Sequence, residues 1–212
     1  MKIVKNYLFS YAALSLVSCA LIFLTNRYIL TSDFFIVNRQ YLSGIPGQET
    51  AVYQSLQKWI YLSTIIYLSI RIGTVVLLLY TALYLADVAI SLRKLLSEII
   101  FAEFIFILPA GIKFLHFYQG HQPLTLTAWH RYYPLSTLSL LGEVPADWHY
   151  ALQTLNIFEV AYWFLLARGI QRATGIGFNK SLNLVIYAYL PPLVIWVAAV
   201  TFLSIVYFPG TA

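Results

Sequence analysis

Residues 59–91 read WIYLSTIIYLSIRIGTVVLLLYTALYLADVAIS, and this apolar run indicates the fold class of the chain. Arg71 and Asp87 are its only charged side chains, and most other positions are apolar. A helix of about 20 apolar residues crosses a hydrocarbon core about 30 Å thick. The stretch is longer than one perpendicular crossing needs, so we expect a tilted helix or first turns that project above the membrane. Either arrangement places Arg71 near the outer boundary and Asp87 near the inner one.

The composition of the whole chain also indicates a membrane environment. Of the 212 residues, 60% are hydrophobic and 10% are charged, whereas a soluble domain carries about 25% charged residues. Aromatic residues reach 17%, and Tyr and Trp favour the headgroup level of a bilayer. The net charge of +5 does not indicate a nucleic-acid partner, because no basic run exceeds the pair Arg93-Lys94. The lipid bilayer is therefore the expected surrounding of this protein.

The order of the apolar segments predicts an all-α protein. It is a polytopic transmembrane helical bundle with about five spans in a single membrane domain, residues 1–212. The spans are expected at about residues 7–24, 62–91, 95–117, 150–167 and 182–208, with outer loops at about 25–58 and 118–149.

The basic residues set the expected orientation of the bundle. With the N-terminus in the cytoplasm, the inner side receives Lys2, Lys5, Arg93, Lys94, Arg168, Arg172 and Lys180. The outer side receives fewer basic residues over longer loops, namely Arg27, Arg39, Lys58 and Arg131. The positive-inside rule therefore favours an N-in and C-out topology, and the expected location is the inner (plasma) membrane of the cell.

The first span has a second interpretation. Leu16-Val17-Ser18-Cys19 resembles a lipoprotein signal site, whose cysteine becomes lipidated. The apolar run continues from Ala20 to Leu24, whereas mature lipoproteins usually begin with a polar tether. A retained helix is therefore the preferred interpretation. Cys19 is the only cysteine, which excludes a disulfide or a cysteine-based metal cluster within one chain.

Three acids are expected in the inner half of the bilayer, where an ionisable group costs about 2.5–3.5 kcal/mol on insertion. At about 1.5 Å per residue, Asp87 lies about 6 Å, Glu103 about 10 Å and Glu159 about 13 Å from the inner ends of three different spans. Arg71 and Lys113 lie near the outer boundary, so we expect them to be too distant to pair with these acids. The closer partners are Arg168, Arg93 and Lys94.

The fourth span carries a polar stripe. Gln153, Asn156, Glu159 and Trp163 follow helical spacing and would share one face of a helix. Such a face should contact protein or water rather than lipid. Together with Glu103 and Asp87, it predicts an intramembrane site for a cation, a proton or a polar lipid headgroup. Hydrogen bonds that merely join the helices would account for the same residues.

Pro191 and Pro192 interrupt the last span near the expected depth of Glu159. Proline leaves carbonyl groups without a helix donor in the preceding turn. Such carbonyls beside a carboxylate would coordinate a cation, as in the broken helices of transporters. A simple kink that improves packing is the alternative.

The sequence carries no recognisable catalytic set. His116, His121, His130 and His149 lie on or near the outer side without the short helical spacing of zinc ligands. Gly175 and Gly177 follow no strand and do not make a phosphate-binding loop. We therefore predict no catalytic residue, no metal and no cofactor.

The last span shows a family resemblance. Ala188-Tyr189-Leu190-Pro191-Pro192 followed by an apolar run resembles the Tyr-x-x-Pro pattern in late helices of bacterial Yip1-type integral membrane proteins. Five spans in an N-in and C-out topology are similar to that family as well. The resemblance implies a non-enzymatic protein that acts through partners or lipids, and it implies no site residues. The Asp-Leu-Tyr-Gly-Pro signature of the eukaryotic members is missing, which puts a trafficking role in doubt.

These observations lead to two functional hypotheses. The first is a non-enzymatic scaffold or accessory subunit of a membrane complex, with a membrane-protein partner or a second copy of itself. The alternative is a small transporter or channel subunit, coupled to cations or protons through the inner-half carboxylates. A lipid-modifying enzyme at the outer histidines is a third and weaker possibility.

Overall fold

The computed structural model describes residues 7–31, 34, 49–120, 125–141 and 144–207. Within these ranges the chain is helical and has no strand. The helices are α1 (Tyr7–Tyr28), α2 (Glu49–Leu85), α3 (Leu92–Glu103), α4 (Ile107–Tyr118), α5 (Leu126–Arg131), α6 (Thr137–Leu140), α7 (His149–Thr154), α8 (Ile157–Thr174) and α9 (Phe178–Tyr207). Two single 3₁₀ turns, Phe104–Phe106 and Ala146–Trp148, precede α4 and α7.

Four helical segments are long and apolar enough to cross a membrane. They are Tyr7–Tyr28, Lys58–Leu85, Leu92–Tyr118 and Phe178–Tyr207. The third segment combines α3, a 3₁₀ turn and α4. Pro109 lies in the first turn of α4, a position where proline is tolerated because the first N–H groups of a helix have no intrahelical acceptor. These segments confirm the helical class of the chain, and their length and composition fit a membrane protein.

The second helix ends earlier than we predicted. It stops at Leu85, and Asp87 lies in the following turn with a positive φ of 54°. Asp87 is exposed there, so the prediction that it lies inside a span is wrong. The next helix begins at Leu92. The side chain of the preceding Ser91 accepts a hydrogen bond from the Lys94 amide and so caps α3 in the usual way.

The predicted fourth span is two helices rather than one. The chain leaves helical geometry at Asn156, with φ −139° and ψ 161°, between α7 and α8. The Asn156 side chain caps α8 by accepting a hydrogen bond of 2.8 Å from the Glu159 amide. Gly175 ends α8 in the left-handed conformation at φ 79°, which glycine adopts without strain.

The core of the bundle lies around α3, which contacts α1, α2 and α8, while α9 packs on α8 and α2. Fully buried Leu79, Leu83, Ile99 and Leu166 fill this region. α3 and α8 approach so closely at Gly169 that an added Cβ would lie 2.8 Å from the Cβ of Glu98. The two helices run antiparallel, so the end of α3 and the start of α8 lie at the same level as the middle of α2.

Candidate functional site

The most polar feature of the core is a cluster centred on Arg71 of α2. Its guanidinium faces Glu103 at the end of α3 and Glu159 in the first turn of α8. The prediction that Arg71 is too distant to pair with the acids is therefore wrong. Tyr162 of α8 and Tyr189 of α9 complete the group, which we call the Arg71 cluster.

The level of the cluster follows from where the helices end. Counted at about 1.5 Å per residue from the end of the bundle that holds the α2–α3 turn, Arg71 lies about 21 Å, Glu103 about 16 Å and Glu159 about 22 Å deep. The predicted depths differed because residues 86–91 are not helical, whereas α3 and α8 extend beyond the predicted span ends. Arg71 therefore lies nearer to the α2–α3 end than the apolar runs of the sequence indicate. Both acids lie farther from that end than predicted.

Glu103 is the more enclosed of the two acids, with a side chain only 1% exposed. Its Oε2 lies 3.4 Å from Nε of Arg71. Its Oε1 accepts a hydrogen bond of 2.5 Å from the hydroxyl of Tyr162, which is itself completely buried. One carboxylate oxygen thus has a hydrogen bond and the other an ion pair within the chain, which offsets the cost of burying the charge.

Glu159 is held from three sides. Its Oε2 lies 3.9 Å from Nη2 of Arg71, and its Oε1 accepts a hydrogen bond of 2.7 Å from the Tyr189 hydroxyl. Its position in the first turn of α8 sets the carboxylate against the positive end of the helix dipole. Asn156 supports this turn through its cap. The predicted stripe does not follow one helix, because Gln153 lies on α7 and Asn156 is not helical.

Aromatic rings enclose the Arg71 guanidinium. Its central carbon lies 3.8 Å from the ring centroid of Phe106 and 5.5 Å from that of Tyr162. A desolvated cation over an aromatic face gains about 2 kcal/mol. One guanidinium here faces two carboxyl groups, so the cluster carries one negative charge when both acids are ionised and none when a single proton is bound.

The remaining predicted site residues lie outside the cluster. Gln153 belongs to α7 and donates a hydrogen bond of 2.7 Å to the carbonyl of His130. Asp87 is exposed in its turn. Pro191 and Pro192 stand inside α9, which is helical over its whole length, and Pro191 is exposed. At the α2–α3 end, Arg172 binds Glu98 at 2.7 Å, while Arg168 lies over the ring of Phe178.

Sequence reasoning missed Arg71, Phe106, Tyr162 and Tyr189 as members of the site. Tyr162 follows Glu159 by three positions on α8 and so shares its face, which was a usable signal. Tyr189 and Phe106 carried no such signal, because only the packing of α9 and of the 3₁₀ turn brings them to the acids.

A cavity of about 780 Å³ adjoins the cluster. It lies between α8, α9 and the segment from Leu135 to Leu140, and Glu159 is part of its wall. Four other polar wall residues lie near the start of α8, namely Ser136, Thr137, Thr154 and Asn156, and Trp163 and Thr201 also belong to the wall. The rest of the wall is apolar, and about half of it follows α9 from Leu190 to Ile205.

The predicted outer side holds a layer of aromatic contacts. Lys113 lies 4.2 Å above the ring of Trp129, and His116 stacks on Tyr132 at 4.1 Å. Nε2 of His149 lies 3.1 Å from the carbonyl of Val144. Among the described residues no three metal-ligating side chains come together. His121, Lys2, Lys5 and Arg39 lie outside those residues.

Comparison of the chain with models of known protein families, with curated proteins and with solved structures finds no match.

Proposed function

We propose that this chain is a non-enzymatic integral membrane protein that works as a scaffold or accessory subunit of a membrane complex. The closure of the Arg71 cluster carries the proposal. Each carboxylate oxygen of Glu103 and Glu159 already has a partner from Arg71 or a tyrosine. The most polar groups of the core are thus used to hold four segments together, which leaves the outer surfaces of the bundle for its activity.

The proposal includes a fifth crossing, made by α8. With 18 residues it is about 27 Å long, close to the thickness of the hydrocarbon core. Arg71 compensates the charge of Glu159. Arg168 and Arg172 lie near the far end of the helix, from which long basic side chains reach the interface.

The proposed orientation has the N-terminus in the cytoplasm and the C-terminus outside. Five exposed basic residues gather at the α2–α3 end of the bundle, namely Arg93, Lys94, Arg168, Arg172 and Lys180. That concentration supports a cytoplasmic location for this end. The topology also supports the likeness to Yip1-type proteins, which remains a proposal based on architecture and on residues 188–192.

The test is affinity purification of the full chain from its native membranes in a mild detergent, followed by mass spectrometry. We expect the chain to co-purify with one membrane protein at a fixed stoichiometry, or to run as a discrete homo-oligomer. In the control, the same preparation from membranes with an untagged chain should not contain that partner. Monomeric chains that by themselves support flux or turnover in liposomes would overturn the proposal.

Transport coupled to a proton or cation is the second candidate. The position of Glu159 favours it, because this carboxyl belongs to a cluster with one cation for two acids and also lies on the cavity wall. Flux in proteoliposomes that Glu159→Gln abolishes and Asp87→Asn leaves unchanged would establish this function. Equal flux in wild type and Glu159→Gln would exclude a coupling role for Glu159.

A further inference from the structure

We propose that the cavity beside α9 binds the acyl chain of a bilayer glycerolipid. The volume of about 780 Å³ falls within the range of about 300–1,000 Å³ of small-molecule sites.

The wall of the cavity is mainly apolar. Its polar residues near the start of α8 already bond within the chain, since the side chains of Ser136, Thr137, Thr154 and Asn156 donate to backbone carbonyls and Glu159 binds Arg71 and Tyr189. From Leu190 to Ile205 the wall follows about 22 Å of α9 with mostly aliphatic and aromatic side chains. A long apolar chain matches this wall, whereas a small polar solute does not.

The cavity is continuous with the surface that faces the bilayer. Several of its wall residues are also among the most exposed apolar side chains of the bundle, including Leu140 at 84%, Phe202 at 64% and Val194 at 58%. These side chains belong to an apolar helix long enough to cross the membrane and to the loop that packs near it. The molecules that can enter from this side are the lipids of the bilayer themselves.

Two polar side chains on the wall supply a second, independent observation. Nε1 of Trp163 and Oγ1 of Thr201 are buried and have no hydrogen-bond partner among the described residues. Thr201 is only 7% exposed. Buried donors without partners are rare in native proteins and call for a ligand or water that completes them. The ester carbonyl of a glycerolipid is an acceptor that an acyl chain brings with it.

The neighbouring alanines of α9 provide a matched pair of variants. Ala198 lies on the cavity wall, whereas Ala199 does not, and both are exposed. Ala198→Phe should therefore fill the cavity without entering the core, and Ala199→Phe adds the same ring about 100° around the helix, off the cavity wall. Val160→Phe fills the cavity from α8 and gives a second blocking variant.

The experiment uses the full chain in vesicles of phosphatidylcholine and phosphatidylethanolamine with a small fraction of phosphatidylcholine that carries a diazirine on its acyl chain. After irradiation, peptides are analysed by mass spectrometry. We expect adducts on the cavity walls of α8 and α9 at several times the yield on the exposed face of α1 around Leu16, which reports ordinary lipid contact.

Ala198→Phe and Val160→Phe should lower the cavity adducts at least fivefold and leave those of α1 unchanged, while Ala199→Phe keeps both. Thermal unfolding of each variant tests whether it remains folded. If one of the two blocking variants does not fold, the other is sufficient for the test. Equal labelling of the cavity and α1, or cavity labelling that both folded blocking variants retain, would overturn the proposal.

Discussion

Replacing Arg71 by glutamine removes the one cation that the described residues place against both Glu103 and Glu159. The two carboxyl groups stay enclosed, since their side chains are only 1% and 9% exposed. Removing one partner of a buried ion pair costs about 3–5 kcal/mol, because the other charge is left uncompensated. We expect Arg71→Gln to lower the free energy of unfolding by that amount, about a hundredfold to a few thousandfold in the unfolding equilibrium.

A triple variant isolates the electrostatic part of this loss. When Glu103→Gln and Glu159→Gln accompany Arg71→Gln, no buried charge remains in the cluster, and neutral replacements of buried ion groups often cost little. We expect the triple variant to recover at least about 2 kcal/mol relative to Arg71→Gln alone. Lost packing of the guanidinium on Phe106 alone would not be recovered in this way.

The assay is reversible unfolding in mixed micelles with a rising fraction of dodecyl sulfate, followed by tryptophan fluorescence and circular dichroism. Arg93→Gln is the matched control, because Arg93 is exposed and such surface changes stay within about 0.5 kcal/mol. If Arg71→Gln costs no more than this control, or if the triple variant is as unstable as Arg71→Gln, the reasoning about the cluster is refuted.

Three further predictions concern local features. Gly169→Ala should destabilise the fold by about 1–3 kcal/mol in the same assay, because its Cβ would lie 2.8 Å from that of Glu98. Gly73→Ala, with no atom near its added Cβ, should be neutral or slightly stabilising, and equal losses would contradict the close crossing. Asn156→Ala should cost about 0.5–2 kcal/mol through the lost cap, and no loss would mean that α8 starts without it. Burial, aided by Lys113 and His149, lowers the pKa of His130, so the unfolded chain binds more protons and stability rises with pH through the range below about 6.5. His130→Gln should flatten that slope in unfolding measured from pH 5 to 7, and an unchanged slope would assign it to another group.

The long apolar helices and the inward position of Glu103 and Glu159 could be predicted from the sequence. Hydrocarbon imposes the length of a span directly, and it excludes a carboxyl group from the lipid face. Both properties depend on single segments, which is why composition and periodicity are sufficient to identify them.

The break before α8 had a local signal that the apolar surroundings hid. Asn156 and Glu159 form the Asn-x-x-Glu pattern of a helix start, but apolar residues on both sides indicate one continuous span. Ser91 is a similar case, because it caps α3 within the apolar run from Trp59. In both places the predicted depth of the charged residues was counted from the predicted end of the helix. An error of a few residues in that end therefore placed Arg71 and its acidic partners at different predicted levels.

The contacts of the Arg71 cluster could not be predicted, because they join residues from four segments far apart in the chain. Their geometry gives a reason for keeping charges at a depth where they are costly. Apolar faces slide past each other with little penalty in lipid, since the tails are as apolar as the side chains. A shift of one helical turn, about 5.4 Å, would break the contacts of 3.4 and 3.9 Å that join Arg71 to its acids. We infer that the cluster fixes the register of α2, α3, α8 and α9, a use for which buried polar groups are best attested.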